Sequence, residues 1–129
     1  MATVKSHYEK YLSNKDFIDN GITDKDKFLE WWITGVFYCA VHLLEMYIVN
    51  KSDDKKTASG SHSMREQYLR EYNINNDVFC NYKQLYSYSK EARYECIKLD
   101  NDDANGAQIC LDSITSYIKK EGLLKIATT

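Results

Sequence analysis

Proline is missing from this chain of 129 residues, and glycine occurs only five times. Proline is the residue that most strongly interrupts helices, so its absence leaves long helices possible throughout the chain. No stretch shows the sustained alternation of apolar and polar residues that is typical of half-buried strands. The sequence therefore predicts an all-α protein, and its length predicts one domain spanning residues 1–129.

Paired cysteines and a strong charge of either sign are also missing. The four cysteines lie far apart, without a CxxC pair or a zinc-type spacing, so we expect buried thiols in a reducing compartment. The 17 basic and 19 acidic residues nearly balance, which argues against an extended nucleic-acid footprint. The N-terminal segment MATVKSHYEKYL has no apolar stretch of the kind found in signal peptides. We therefore expect a cytoplasmic protein.

Several catalytic and cofactor motifs are absent. The chain has no phosphate loop of the GxxxxGK type, no HExxH, no GxSxG and no clustered acidic residues of a calcium loop. Its three histidines are not preceded by the glutamates of a di-iron bundle. The sequence accordingly predicts no metal site and no cofactor.

One segment, Phe28 to Val49, is apolar enough to form the centre of the protein. Apolar side chains cover most of its circumference at helical spacing, so other helices must surround it. Four polar residues, which we name the polar seam, lie within an arc of about 80°: Thr34, Tyr38, His42 and Glu45. Their presence argues against a membrane span. Each needs a polar partner, because an unpaired buried polar group costs about 1–3 kcal/mol.

Other helices are predicted on both sides of this segment. The first runs from Val4 to about Asn20, with Tyr8, Tyr11, Leu12 and Ile18 facing inward. Thr23 or Asp24 is expected to cap the central helix, which ends near residue 50. Further helices are expected over about 64–72, 78–96 and 104–121, with caps at 75–77 and 100–103 and a stop at Gly122. The tail, 126–129, is expected to be frayed.

The run NKSDDKKTASG at 50–60 has no apolar anchor. We expect a mobile, solvated loop there. The alternative is a lid or an RNA-contacting loop that uses Lys51, Lys55 and Lys56.

The next segment, SHSMREQYLREY, carries a candidate anion site. Ser63 and Glu66 have the spacing of a capping box, which predicts a helix beginning at Met64. His62 would then stand just before the helix N-terminus, where anions bind readily, with Arg65 close by.

Four residues of the segment 78–96 fall on one line of a helix: Tyr82, Tyr86, Ser89 and Arg93. Hydroxyl and aromatic groups thus share one helix face with an arginine. The alternative is that the two tyrosines are core residues whose hydroxyls reach the surface.

Histidine and arginine without a metal are the residues needed for RNA cleavage by attack of the 2′-hydroxyl. The same residues would also bind a phosphate without cleaving it. The candidate acid/base residues are His42 and His62, and the candidate phosphate ligands are Arg65 and Arg93. The residues expected to line this pocket are Tyr38, Tyr86, Ser89 and Tyr94.

The segments FYCAVHLLEMYI, SHSMREQYL and YKQLYSYSKEARYEC, in this order, resemble a small stand-alone HEPN-type helical protein. The resemblance covers roughly Trp31 to Cys96 and the final helix. It implies an antiparallel, up-and-down bundle of four to five helices, often a homodimer. It also implies a role in RNA cleavage, toxin–antitoxin pairs, phage defence or nucleotide binding.

The chain departs from the catalytic HEPN pattern, an arginine followed four to six residues later by histidine. No histidine stands at that spacing after Arg65, Arg70 or Arg93. We therefore predict a protein that binds a nucleotide, RNA or a protein partner. Two alternatives are a metal-independent ribonuclease with a site rebuilt from His42, His62 and the arginines, and a non-catalytic adaptor that pairs with a nucleotidyltransferase-like protein.

Overall fold

The structure, a computed structural model, describes residues 2–55, 59–96 and 98–129. Within these residues every regular element is helical and no strand occurs, which confirms the predicted all-α class. The elements are α1 (Val4–Asp16), a π-helical turn (Phe17–Gly21), α2 (Leu29–Lys51), α3 (His62–Glu71), α4 (Asn76–Tyr94), α5 (Asn101–Lys120) and α6 (Leu123–Ala127). Helix α2 packs most extensively against α1, α4 and α5, and it also contacts α3 and α6.

Helix α2 is the core helix that the sequence predicts, but it begins later than expected. The Asp24 carboxylate accepts a hydrogen bond from the Lys27 amide at 3.2 Å, so it caps a turn that precedes the helix. The helix itself starts at Leu29 after an N-cap residue, Phe28, that makes no side-chain hydrogen bond. By length and by its mean hydropathy of 1.5, α2 would suffice to cross a membrane, but 83% of its most apolar window is buried inside the protein. Such burial is typical of a core helix.

The first predicted helix is divided in two. Helix α1 begins with a reciprocal cap between Thr3 and Ser6, and it passes into the π-helical turn after Asp16. Ile18 is buried as predicted, whereas Leu12, predicted to face inward, is 46% exposed. Tyr8 and Tyr11 are partly buried against the core, so the predicted face of α1 is confirmed except at Leu12.

The π-helical turn approaches α2 at Gly35. An added Cβ at Gly35 would lie 2.3 Å from Cγ2 of Ile18, which is too close for any real contact. Because Ile18 is buried and branched at Cβ, it cannot easily move aside. We expect Gly35→Ala to lower the free energy of unfolding by about 1–3 kcal/mol through overpacking.

Urea denaturation of Gly35→Ala beside Gly106→Ala tests this prediction. Gly106 is also helical, but its new Cβ would meet only the hydroxyl end of Tyr88, 2.6 Å away, which can swing aside. The control should therefore keep or gain stability, since alanine is the better helix former. Equal losses in both variants would contradict the close packing at Gly35.

The remaining helix ends follow local capping chemistry. Asn75 caps α4 and Asp100 caps α5 in a box with Asp103, as the sequence predicts. Helix α3 is capped by Ser61 and not by Ser63, so it begins at residue 62. Gly122 adopts a left-handed φ of 75° and ends α5.

The C-terminal tail differs from the frayed end that was expected. Residues Leu123 to Ala127 form α6, and the side chains at both of its ends are buried, with 1% and 3% exposure. Helix α6 contacts α1, α2 and α5. The chain is therefore packed to within two residues of its end.

The four cysteines follow the prediction only in part. Cys39 and Cys110 are buried, whereas Cys80 and Cys96 are exposed, contrary to expectation. All four are free thiols.

Most described residues of the loop at 50–60 are exposed, as expected for a solvated loop, but two serines in it are anchored. Ser52 is buried and its hydroxyl donates to the Val49 carbonyl at 2.7 Å. Ser59 is 1% exposed, and its amide donates to the Glu45 carboxylate at 3.2 Å. Of the three lysines proposed to contact RNA, Lys56 lies outside the described residues.

Candidate functional site

The polar seam of α2 finds its partners on three different helices. Tyr38 meets Arg93 on α4, His42 meets His7 on α1, and Glu45 meets Arg65 on α3. Residues 38 and 45 are about 10 Å apart along the helix axis, and their direct partners lie on α4 and α3 respectively. Three of the four seam residues therefore meet three different partners, and the fourth, Thr34, lines a separate groove.

Glu45 and Arg65 form a buried ion pair. Nε of Arg65 donates to Oε1 of Glu45 at 2.8 Å, and Nη1 donates to the Tyr82 hydroxyl at 3.0 Å. The Glu45 side chain is 3% exposed and that of Arg65 is 14% exposed. Arg65 was predicted to hold phosphate, but its charge is already neutralised inside the protein. It acts as a link between α2, α3 and α4.

The Tyr82 hydroxyl connects this pair to His62. Because it accepts from Arg65, its own proton is free to donate to Nδ1 of His62, 2.7 Å away. Nε2 of His62 then carries a proton and donates to Glu66 at 2.6 Å. Burial lowers the pKa of His62, and Glu66 partly opposes that shift. Tyr82 is fully buried, so its hydroxyl does not reach the surface.

His62 does not stand free before a helix. It is the first residue of α3 and stacks on Tyr86 with ring centroids 3.4 Å apart. Both of its nitrogens are engaged by Tyr82 and Glu66. The predicted anion site at this helix start is therefore filled by the protein's own side chains.

His42 has a partner that the sequence did not suggest. Its Nδ1 lies 3.0 Å from Nδ1 of His7, which is on α1 and only 8% exposed. Burial and the neighbouring His7 lower the pKa of His42 to about 4, and burial also lowers the pKa of His7. Both imidazoles are thus neutral at pH 7. The only feature of the sequence that could have indicated this pair is that His7 is a polar residue within the predicted first helix.

The histidine pair borders a groove of about 540 Å³. The groove is lined by Ala2, Ser6, His7, Glu9, Lys10, Ser13 and His42. Nε2 of His7 is buried and has no hydrogen-bond partner among the described residues. One nitrogen of this pair is therefore left unsatisfied.

The low pKa of His42 predicts a pH-dependent stability. In the unfolded chain the pKa is near 6.5, so the unfolded state takes up a proton first as the pH falls. The contribution of neutral His42 to stability is complete above pH 6.5 and is lost progressively towards pH 4. We expect the urea midpoint, measured in EDTA, to fall over this range more steeply in the wild type than in His42→Gln. Parallel curves for the two proteins would contradict the shift.

Arg93 lies among aromatic side chains. Nη1 donates to the Tyr38 hydroxyl at 2.9 Å, and Nε donates to the Ser89 carbonyl at 3.2 Å. The guanidinium also lies 5.0 Å from the centre of the Tyr94 ring. Within the described residues, no carboxylate oxygen comes within 4.0 Å of this guanidinium. Its charge is therefore not neutralised by a direct ion pair.

A groove of about 390 Å³ lies beside Arg93. We name it the Arg93 groove, and its lining residues are Glu30, Trp31, Thr34, Ala92, Arg93 and Tyr94. Trp31 is 63% exposed and Tyr94 is 73% exposed, so two large aromatic side chains stand open to solvent. Trp31 was not among the predicted site residues. Its position one turn before Thr34 of the seam was the signal that could have found it.

The predicted site residues are thus divided among three places. Arg93 and Tyr94 line the Arg93 groove and Tyr38 is hydrogen-bonded to Arg93. His62, Arg65 and Tyr86 belong to the network around Tyr82. His42 pairs with His7. Ser89 is fully buried and its hydroxyl has no partner among the described residues, so the predicted line of ligands is interrupted there.

Comparisons with known proteins give no further guide to function. Models of protein families, curated proteins and solved structures show no match to this chain. The described residues also contain no group of three or more histidine, cysteine, aspartate or glutamate residues suited to a metal ion. The function has to be inferred from the geometry of the chain itself.

Proposed function

We propose that this chain is a HEPN-like helical protein that binds a nucleotide, either free or at the end of a single-stranded RNA. The proposal includes the antiparallel bundle of four to five main helices that the resemblance implies, and a place in a toxin–antitoxin or phage-defence system. The observation that carries it is the Arg93 groove, where an arginine that has no carboxylate partner among the described residues lies beside two exposed aromatic rings.

A nucleotide has the two parts that this groove suits. Its base is an aromatic ring that can stack on Trp31 or Tyr94, and stacking on exposed aromatic side chains contributes about 1–3 kcal/mol per base. Its phosphate can accept charge-assisted hydrogen bonds from the Arg93 guanidinium. That guanidinium already donates a hydrogen bond to the Tyr38 hydroxyl at 2.9 Å. The Arg93 side chain is therefore partly ordered before binding, and it loses less conformational entropy when a ligand binds.

The charges around the groove favour a short ligand. Glu30, Glu91 and Glu95 line the adjoining concave surface with only Arg93 and Lys98 as cations. The acidic side chains would repel a long phosphate backbone, and the whole chain carries a net charge of −2. One nucleotide unit fits these charges better than a long stretch of nucleic acid.

The ribonuclease alternative has weaker support. It needs a histidine able to move protons close to an arginine able to hold the phosphate. His62 is bound by Tyr82 and Glu66, and Arg65 is bound by Glu45. Incubation of the protein with mixed RNA in EDTA tests this alternative, and cleavage that disappears in His42→Gln would revive it.

The binding proposal can be tested by tryptophan fluorescence. Trp31 is exposed and Trp32 is only 6% exposed, so a ligand in the groove should quench Trp31 alone. We expect nucleoside monophosphates to quench the wild type and to leave Trp31→Phe unchanged. Adenosine and inorganic phosphate, which each offer half of the ligand, should bind more weakly. A parallel titration with a tetranucleotide distinguishes binding of an RNA end from binding of a free nucleotide.

The same fluorescence titration distinguishes a groove that binds a nucleotide from a groove that is covered by a protein partner. The resemblance also implies a homodimer, or an adaptor that pairs with a nucleotidyltransferase-like protein. If such a contact covers Trp31 and Tyr94, nucleotides will leave the fluorescence unchanged. Light scattering will then report a dimer that Trp31→Ala converts to monomers. No quenching together with a monomeric wild type would overturn the nucleotide proposal.

A further inference from the structure

His7 and His42 bring two ring nitrogens unusually close. Their Nδ1 atoms are 3.0 Å apart although the residues are 35 positions apart in sequence, and the ring centroids are 5.3 Å apart. Two imidazole nitrogens bound to one zinc-type ion, each about 2.0–2.1 Å from it, lie about 2.9–3.4 Å from one another. The observed separation falls within that range. It is compatible with a shared proton and also with a shared metal ion.

A shared proton leaves this pair incompletely satisfied. Whichever histidine donates, His7 retains a buried Nε2 without a partner among the described residues. The pair therefore bears the cost of a buried polar group that a single hydrogen bond does not remove. An ion held by both Nδ1 atoms would leave that Nε2 unpartnered as well, but it would replace one hydrogen bond between the rings by two metal–nitrogen bonds.

The surroundings of the pair allow an ion to enter. His7 is buried, but His42 is partly exposed and both residues line the groove between α1 and α2. Glu9 and Lys10 line the same groove with opposite charges, and the nearby Arg65 is paired with Glu45. Lys10 and Arg65 oppose a positive charge at His42 and Glu45 favours one, so a bound cation would be held mainly by its bonds to nitrogen. Water from the groove can fill the remaining coordination positions.

We propose that His7 and His42 together hold one late first-row divalent metal ion, in a site that water completes. Neutral imidazole suits zinc, nickel and copper, whereas magnesium and calcium prefer oxygen ligands. The site has two protein ligands, so it is an open site of modest affinity. Its structural effect is to join α1 to the central helix α2.

Thermal unfolding of the protein without a polyhistidine tag tests this proposal. After treatment with EDTA and removal of the chelator, 100 μM zinc or nickel should raise the midpoint by about 5 °C or more. Magnesium at the same concentration should not change it. His7→Gln and His42→Gln should each abolish the rise, measured against their own metal-free midpoints.

His62→Gln is the matched control, because His62 is the third histidine and is held by Tyr82 and Glu66. It should keep the full metal-induced rise. An equal rise in the double variant His7→Gln/His42→Gln, or a rise lost in His62→Gln, would overturn the proposal. So would a wild type that shows no rise with either ion.

A measurement on the wild type avoids any problem with folding of the variants. Long-range ¹H–¹⁵N spectra of the imidazole rings report which nitrogen carries a proton or a metal. Zinc should shift the Nδ1 signals of two histidines and leave the third unchanged. Unchanged spectra, or a shift confined to His62, would contradict a site at His7 and His42.

Discussion

Glu45→Gln is expected to lower the free energy of unfolding by about 3–5 kcal/mol, the largest stability effect that we predict for a single substitution. The change leaves the Arg65 guanidinium, whose side chain is 14% exposed, without its counter-charge. It also weakens the acceptor of the Ser59 amide. Urea denaturation at pH 7 measures the loss.

Two further variants identify the cause of that loss. Glu30→Gln removes the same charge from an exposed position on the same helix, and it should change stability by less than about 0.5 kcal/mol. The double variant Glu45→Leu/Arg65→Met removes both charges, and it should be more stable than Glu45→Gln because no buried charge remains unpaired. A loss in Glu45→Gln no larger than in Glu30→Gln would mean that Arg65 reaches water.

Arg93→Gln is expected to weaken binding of a nucleoside monophosphate by about tenfold or more. A hydrogen bond to a charged group contributes about 1.5–3 kcal/mol, and about 1.4 kcal/mol corresponds to a factor of ten in Kd. Because the loss concerns the phosphate, binding of adenosine should remain nearly unchanged. Quenching of Trp31 gives both dissociation constants in one assay.

Lys90→Gln is the control for net charge. Lys90 lies one turn before Arg93 on α4, its ammonium is 5.0 Å from the Tyr86 ring, and it does not line the Arg93 groove. This variant should leave Kd within about twofold, because one exposed charge outside the site is screened by salt. If both variants weaken binding equally, the effect arises from overall charge and the Arg93 groove is not the binding site.

The sequence predicted the features that depend on nearby residues. Asn75, Asp100 and Gly122 act within one turn of their own positions, so capping chemistry was sufficient to find them. The burial of α2 followed from its composition alone. The start of α2 was missed because Asp24 caps a preceding turn with the same chemistry that would cap a helix.

The pairing of polar side chains could not be predicted in the same way. Glu45 and Arg65 are 20 residues apart, and His7 and His42 are 35 residues apart. Which of them meet depends on how each helix is rotated about its axis. On α1, Tyr8, Tyr11 and Ile18 face inward as predicted, but Leu12 is exposed and the buried His7 was not predicted. Arg93 and Tyr38, two of the predicted site residues, contact each other, but Ser89 was not recognised as part of the core.

The anchored flanks of the loop also give the chain a natural point for insertion. Ser52 is fixed to Val49 and Ser59 is fixed to Glu45, so each end of the connection is held by its own contact with α2. Doubling the length of such a connection costs only about 0.6 kcal/mol in closure entropy. A reporter peptide or a second domain could therefore be carried between these two serines while the packing of α2 against α1, α4 and α5 is preserved.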